Sequence, residues 1–70
     1  MLKIGDKIKV IGFNCGRKAH HKFIVMGIIE GSILEVESIQ PHGPYTIKCN
    51  DTSLSIGRGL IEKIEYKLIE

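Results

Sequence analysis

Arg17-Lys18-Ala19-His20-His21-Lys22-Phe23-Ile24-Val25-Met26-Gly27 is the stretch on which the reading of the fold turns. Ala19, Phe23 and Met26 recur at i, i+4 and i+7, the spacing of one helix face, so a helix is predicted over Arg17–Met26. Gly27 stands where a glycine in left-handed geometry ends a helix. Lys18, His21 and Lys22 fall together on a different face, with Val25 one turn further on.

On either side of this segment the pattern changes to period two, which marks half-buried strands. Ile8 and Val10 alternate with Lys7 and Lys9 in Asp6–Ile11, and Leu34 and Val36 alternate with Glu35 and Glu37 in Ser32–Ile39. Tyr45, Ile47 and Cys49 share one face of Pro44–Cys49. Leu54 and Ile56 do so in Ser53–Ile56, and Ile64, Tyr66 and Leu68 in Ile64–Leu68. A second helical turn is predicted over Arg58–Lys63. Gln40-Pro41-His42-Gly43-Pro44 separates two strands with turn residues, and Asn50-Asp51 suits a hairpin in which both residues take left-handed backbone. Gly27 and Gly31 bracket a corner ahead of the second strand. The expected architecture is mainly β: a small barrel of about five strands, with one short helix after the first strand and a helical turn before the last. Closure of such a barrel would remove exposed strand edges.

The chain has 70 residues, which fits a single domain over 1–70 with a radius of gyration of about 11 Å. So small a chain buries only about 60% of the surface its unfolded form exposes, which leaves no room for a deep substrate cavity. Hydrophobic residues are 43% and charged residues 26%, the composition of a globular protein and not of a disordered one. No apolar run approaches the roughly 20 residues of a membrane-spanning helix, and the opening MLKIGDKIKV has no signal-peptide core. Without a signal, Cys15 and Cys49 are expected as reduced thiols and the compartment as the cytoplasm. Charge is unevenly spread: residues 1–22 hold six basic side chains against one acidic, and residues 23–70 hold four against seven. A basic front third points to an acidic partner, although a solvated face is the plain alternative.

The chemistry-bearing residues do not assemble into a catalytic motif. No base, nucleophile and oxyanion donors can be identified together, so the chain is read as non-enzymatic. Gly12-Phe13-Asn14-Cys15-Gly16 is a glycine-bounded loop entering a helix, but it lacks the Lys-Ser/Thr end of a phosphate-binding loop. His20 and His21 are adjacent, so on a helix they diverge by about 100°, and neither a CxxC nor an HxxxH pair is present. A composite metal site would need the fold to bring Cys15, His20 or His21, His42 and Cys49 together. The reading without a metal is packed or solvated imidazoles and small buried thiols, and no cofactor is expected.

Two resemblances follow from the residues. Gly5-Asp6-Lys7-Ile8-Lys9-Val10-Ile11-Gly12 is similar to the opening of KOW-type nucleic-acid-binding barrels, with Lys7, Lys9, Lys18 and Lys22 as phosphate contacts. Against that reading, aromatics are only 6% and Phe13 and Phe23 suit the core better than a stacking platform. The whole of Ile4 to Leu68 resembles the FeoA family, small cytoplasmic SH3-like proteins of bacterial ferrous iron uptake. The resemblance rests on an ordered set: Gly5, Val10, Gly12 and Phe13; the basic helix; Met26-Gly27-Ile28-Ile29-Glu30-Gly31; Gly43 and Pro44; and Glu62, Lys63 and Ile64. Where the family helix often reads Arg-Arg-Leu-Leu, this chain has His21-Lys22-Phe23-Ile24, which lacks the bidentate fork of arginine. The resemblance implies an SH3-like barrel and an accessory role in ferrous iron transport. It also implies a partner, the cytosolic GTP-binding part of the FeoB membrane transporter. Lys18, His21, Lys22 and Val25 are then the expected partner-binding residues. Homo-oligomerisation through exposed strand edges and a metal sensor or carrier role are the further alternatives.

Overall fold

The computed structural model describes residues 2–69; Met1 and Glu70, the ends of the expected 1–70 domain, lie outside the described residues. The elements run β1 (Lys7–Phe13), α1 (Arg17–Met26), β2 (Ile33–Ile39), β3 (Tyr45–Cys49), β4 (Thr52–Ile56), α2 (Arg58–Ile61) and β5 (Ile64–Leu68). The strands form one antiparallel sheet in the order β4-β3-β2-β1-β5, the small SH3-like barrel that the periodicity and the resemblance predicted. The hydrogen-bonded order ends at β4 and β5, so closure by pairing, expected from the sequence, does not occur among the described residues. The one-turn α2 connects these two strands. Ile56, Ile61 and Ile64 instead join a common apolar core there.

Turn chemistry explains most of the boundaries. Asn50 and Asp51 have φ of 51° and 65°, the left-handed pair that a two-residue hairpin between β3 and β4 requires. Gly27 takes φ 83° at the end of α1, and its N–H bonds back to the Ile24 and Phe23 carbonyls. The Gly31 corner is tied by its N–H to the Val10 carbonyl at 2.7 Å.

The core holds Ile8, Val10, Leu34, Val36 and Ile47, each on the inward face that alternation assigned to it. Two bulges alter that alternation. In β1, Val10 opposes Tyr66 and Gly12 opposes Glu65, so an extra residue is inserted. The insertion turns Phe13 inward opposite Ile64, where uninterrupted alternation would point it to solvent. A shift between Val36 and Ser38 in β2 likewise places Ile39 opposite Tyr45 on the core side. Leu68 departs from expectation in the other direction. It is paired with Ile8 but is 59% exposed, at the last residue of the edge strand β5.

Cys49 closes the core at the end of β3 as a free, buried thiol. Burial pushes this thiol above its ordinary range, since the interior disfavours thiolate. Below a pH of about 8.5 the unfolded chain also holds the proton, so this site contributes its full stability there. Above that pH the unfolded thiol ionises first, and stability declines until the folded value is passed. Under reducing conditions, the urea midpoint of the wild type should fall more steeply than that of Cys49→Ala between about pH 7 and pH 9.5. Parallel curves for the two proteins would refute the assignment.

Candidate functional site

α1 is a helix with two distinct faces. Phe23 is its one buried residue, at 0% exposure, and stacks on Phe13 with ring centroids 4.8 Å apart. Ala19 and Met26 are half-buried beside it, as the i, i+4, i+7 spacing predicted. His20 leans on the other side of Phe13, with centroids 5.0 Å apart. The two adjacent histidines therefore divide, one covering an aromatic and the other, His21, facing outward.

The structure places Lys18, His21, Lys22 and Val25 together in the exposed positions of α1, with Val25 72% exposed. Arg17 joins them: a shallow concavity is lined by Arg17, Lys18, His21 and Lys22, and its walls are almost wholly the carbon stems of these side chains. Ile24 adds a second exposed apolar side chain at 50%. Helical spacing alone left Ile24 unassigned because it lies at the border between the two faces. The patch is thus cationic at the start of the helix and aliphatic toward its end.

Local electrostatics make this arrangement unusual for a helix selected only for stability. The N-cap is Gly16, which offers no side-chain cap, and the first turn contains no acidic residue. Arg17 and Lys18 instead set positive charge against the positive end of the helix dipole. Each such placement costs a few tenths of a kcal/mol, an energy that an approaching carboxylate would recover.

The other candidate residues do not come together. Among the described residues, no group of three or more His, Cys, Asp or Glu side chains is arranged to hold a metal ion. Cys15 precedes α1, His42 sits in the β2–β3 turn and Cys49 is sealed in the core. For single-stranded nucleic acid, no stacking platform is formed by the phenylalanines, since Phe23 is buried and Phe13 is packed between it and His20. No helix among the described residues is long and apolar enough to cross a membrane.

The sequence reading missed one feature. Between α2 and β5, a groove of about 370 Å³ brings Tyr45 and Tyr66 together with Arg58. Its signal in the sequence was faint: an arginine between two glycines, Gly57-Arg58-Gly59, at the start of the predicted turn.

Comparisons with known proteins agree with this architecture. The family model for the FeoA domain matches residues 1–68. A crystal structure of an iron uptake regulatory protein, FeoA, superposes with a TM-score of 0.91 at 28% identity, covering 97% of this chain and 91% of that one. The NMR structure of a FeoA-like protein from Clostridium acetobutylicum gives 0.90 at 27% identity, covering 99% of this chain and 81% of that one. The FeoA protein of Chlorobium tepidum gives 0.86 at 26% identity, with 99% and 67% covered. No functionally curated protein matches significantly.

Proposed function

This chain belongs to the FeoA domain family, and from that premise we propose that it is a cytoplasmic, non-enzymatic accessory protein of ferrous iron transport. It acts by protein contact with the cytosolic GTP-binding part of a FeoB-like transporter. The observation that carries this reading is the outer face of α1. Lys18, His21 and Lys22 stand beside exposed Val25, although the core requires only Phe23 and its half-buried neighbours. The cations steer and register an acidic surface, and the aliphatic end supplies the desolvated anchor. Positive charge at the N-terminal end of the helix supports the same reading, because a partner carboxylate there meets both the lysine and the dipole.

The test is capture of the transporter's purified cytosolic region by wild type and by Lys18→Glu/Lys22→Glu. Two charge reversals on a steering face should weaken binding at least about tenfold and remove most of its salt dependence. Both substituted side chains are exposed, so the fold should be retained. Equal capture of the two proteins would overturn the proposed face.

A further inference from the structure

The groove beside α2 contains a cation that, among the described residues, lacks a counter-ion. Arg58 is only partly exposed, and its guanidinium carbon lies 5.2 Å from the centre of the Tyr45 ring. One Nη2 donates to the Gln40 carbonyl. The Nε is buried and has no hydrogen-bond partner, and no carboxylate pairs with Arg58 among the described residues. A guanidinium offers five donors in a planar fork that matches a carboxylate. Here the ring and the carbonyl hold the fork in place, and its Nη1 takes no protein partner among the described residues. The rest of the groove is formed by Leu2, Tyr45, Ile61, Ile64 and Tyr66, with Glu62 as its one acidic side chain.

We infer that this groove binds an extended acidic peptide segment of a partner protein, with an aspartate or glutamate on Arg58 and an adjacent bulky apolar side chain between the tyrosines. Three observations select that ligand. The uncompensated charge of Arg58 calls for an anion, since a partly buried charge without a partner is costly. Glu62 in the same lining repels a second negative charge, which favours a single carboxylate over a phosphate dianion. β5 contributes Ile64 and Tyr66 to the groove and, among the described residues, pairs with β1 alone, so as an edge strand it can offer its other side to an extended backbone. The site shares no residue with the outer face of α1 and stands or falls independently of it.

The probe is a capped peptide, acetyl-Leu-Asp-Phe-Val-amide, titrated into isotope-labelled protein while amide shifts are followed by NMR. Shifts should cluster at Tyr45, Arg58, Ile61, Glu62, Ile64 and Tyr66. The counterpart with Asn in place of Asp should bind at least about tenfold more weakly, the loss expected for a charge-assisted pair. Arg58→Lys keeps the charge but not the fork and should also weaken the Asp peptide several-fold. The Asp and Asn comparison uses the wild type alone, so it decides the matter even if Arg58→Lys does not fold. Equal binding of the two peptides, shifts confined to α1, or no shifts up to about 10 mM would each overturn the inference.

Discussion

Phe23→Ala should remove about half of this protein's stability. A Phe-to-Ala truncation in a packed interior costs about 3–5 kcal/mol through lost burial and the cavity left behind. A chain of 70 residues at roughly 0.05–0.15 kcal/mol per residue has only about 4–10 kcal/mol to lose. Phe23 is fully buried, stacks on Phe13, and accepts through its carbonyl the Ile28 N–H at 2.9 Å that follows the helix end. Phe23→Ala keeps that backbone bond but removes the one buried side chain of α1, so it loosens the helix on the barrel as well as opening a void. Urea denaturation followed by circular dichroism measures the effect. Val25→Ala is the paired control: at 72% exposure it should change stability by less than about 0.5 kcal/mol. It should nevertheless weaken capture of the transporter's cytosolic region. A loss below about 1 kcal/mol for Phe23→Ala would mean that α1 is not docked through this ring.

Leu34→Ala should be nearly as damaging, at about 2–5 kcal/mol, while Ile33→Ala should be close to neutral. The two residues are neighbours in the central strand and similar in hydrophobicity. Register separates them: Leu34 faces the core opposite Ile8 with 0% exposure, and Ile33 faces outward opposite Lys9 with 47%. A one-residue slip would exchange these roles. Thermal melts provide the comparison, at about 4–8 °C per kcal/mol for a domain of this size. Similar losses for the two variants would contradict the register of β1 on β2.

Helix and turn positions were legible from the sequence because they depend on local chemistry. The helix over Arg17–Met26 and the last strand over Ile64–Leu68 have the bounds that spacing predicted. The left-handed positions at Gly27, Gly31, Asn50 and Asp51 follow from residue types that accept positive φ. The candidate face of α1 was legible for the same reason, since 3.6-residue periodicity places Lys18, His21, Lys22 and Val25 together whatever the helix packs against.

What depends on non-local pairing was not legible. The bulges that turn Phe13 and Ile39 inward leave no trace in alternation, because they are set by which residue of the neighbouring strand stands opposite; Phe13 was assigned to the core by its residue type and not by its place in a strand. The Arg58 groove draws on the segment before β1 as well as β3, α2 and β5, with lining residues from Leu2 to Tyr66. Only the fold could decide that an arginine at the start of a helical turn would lie over a tyrosine from another strand. The sequence by itself therefore determined the elements, their faces and the family. The tertiary structure decided strand register, which breaks in alternation feed the core, and where a charge is left without a partner. The physical division is between preferences of the backbone, which each residue carries with it, and burial, which exists only once distant segments meet.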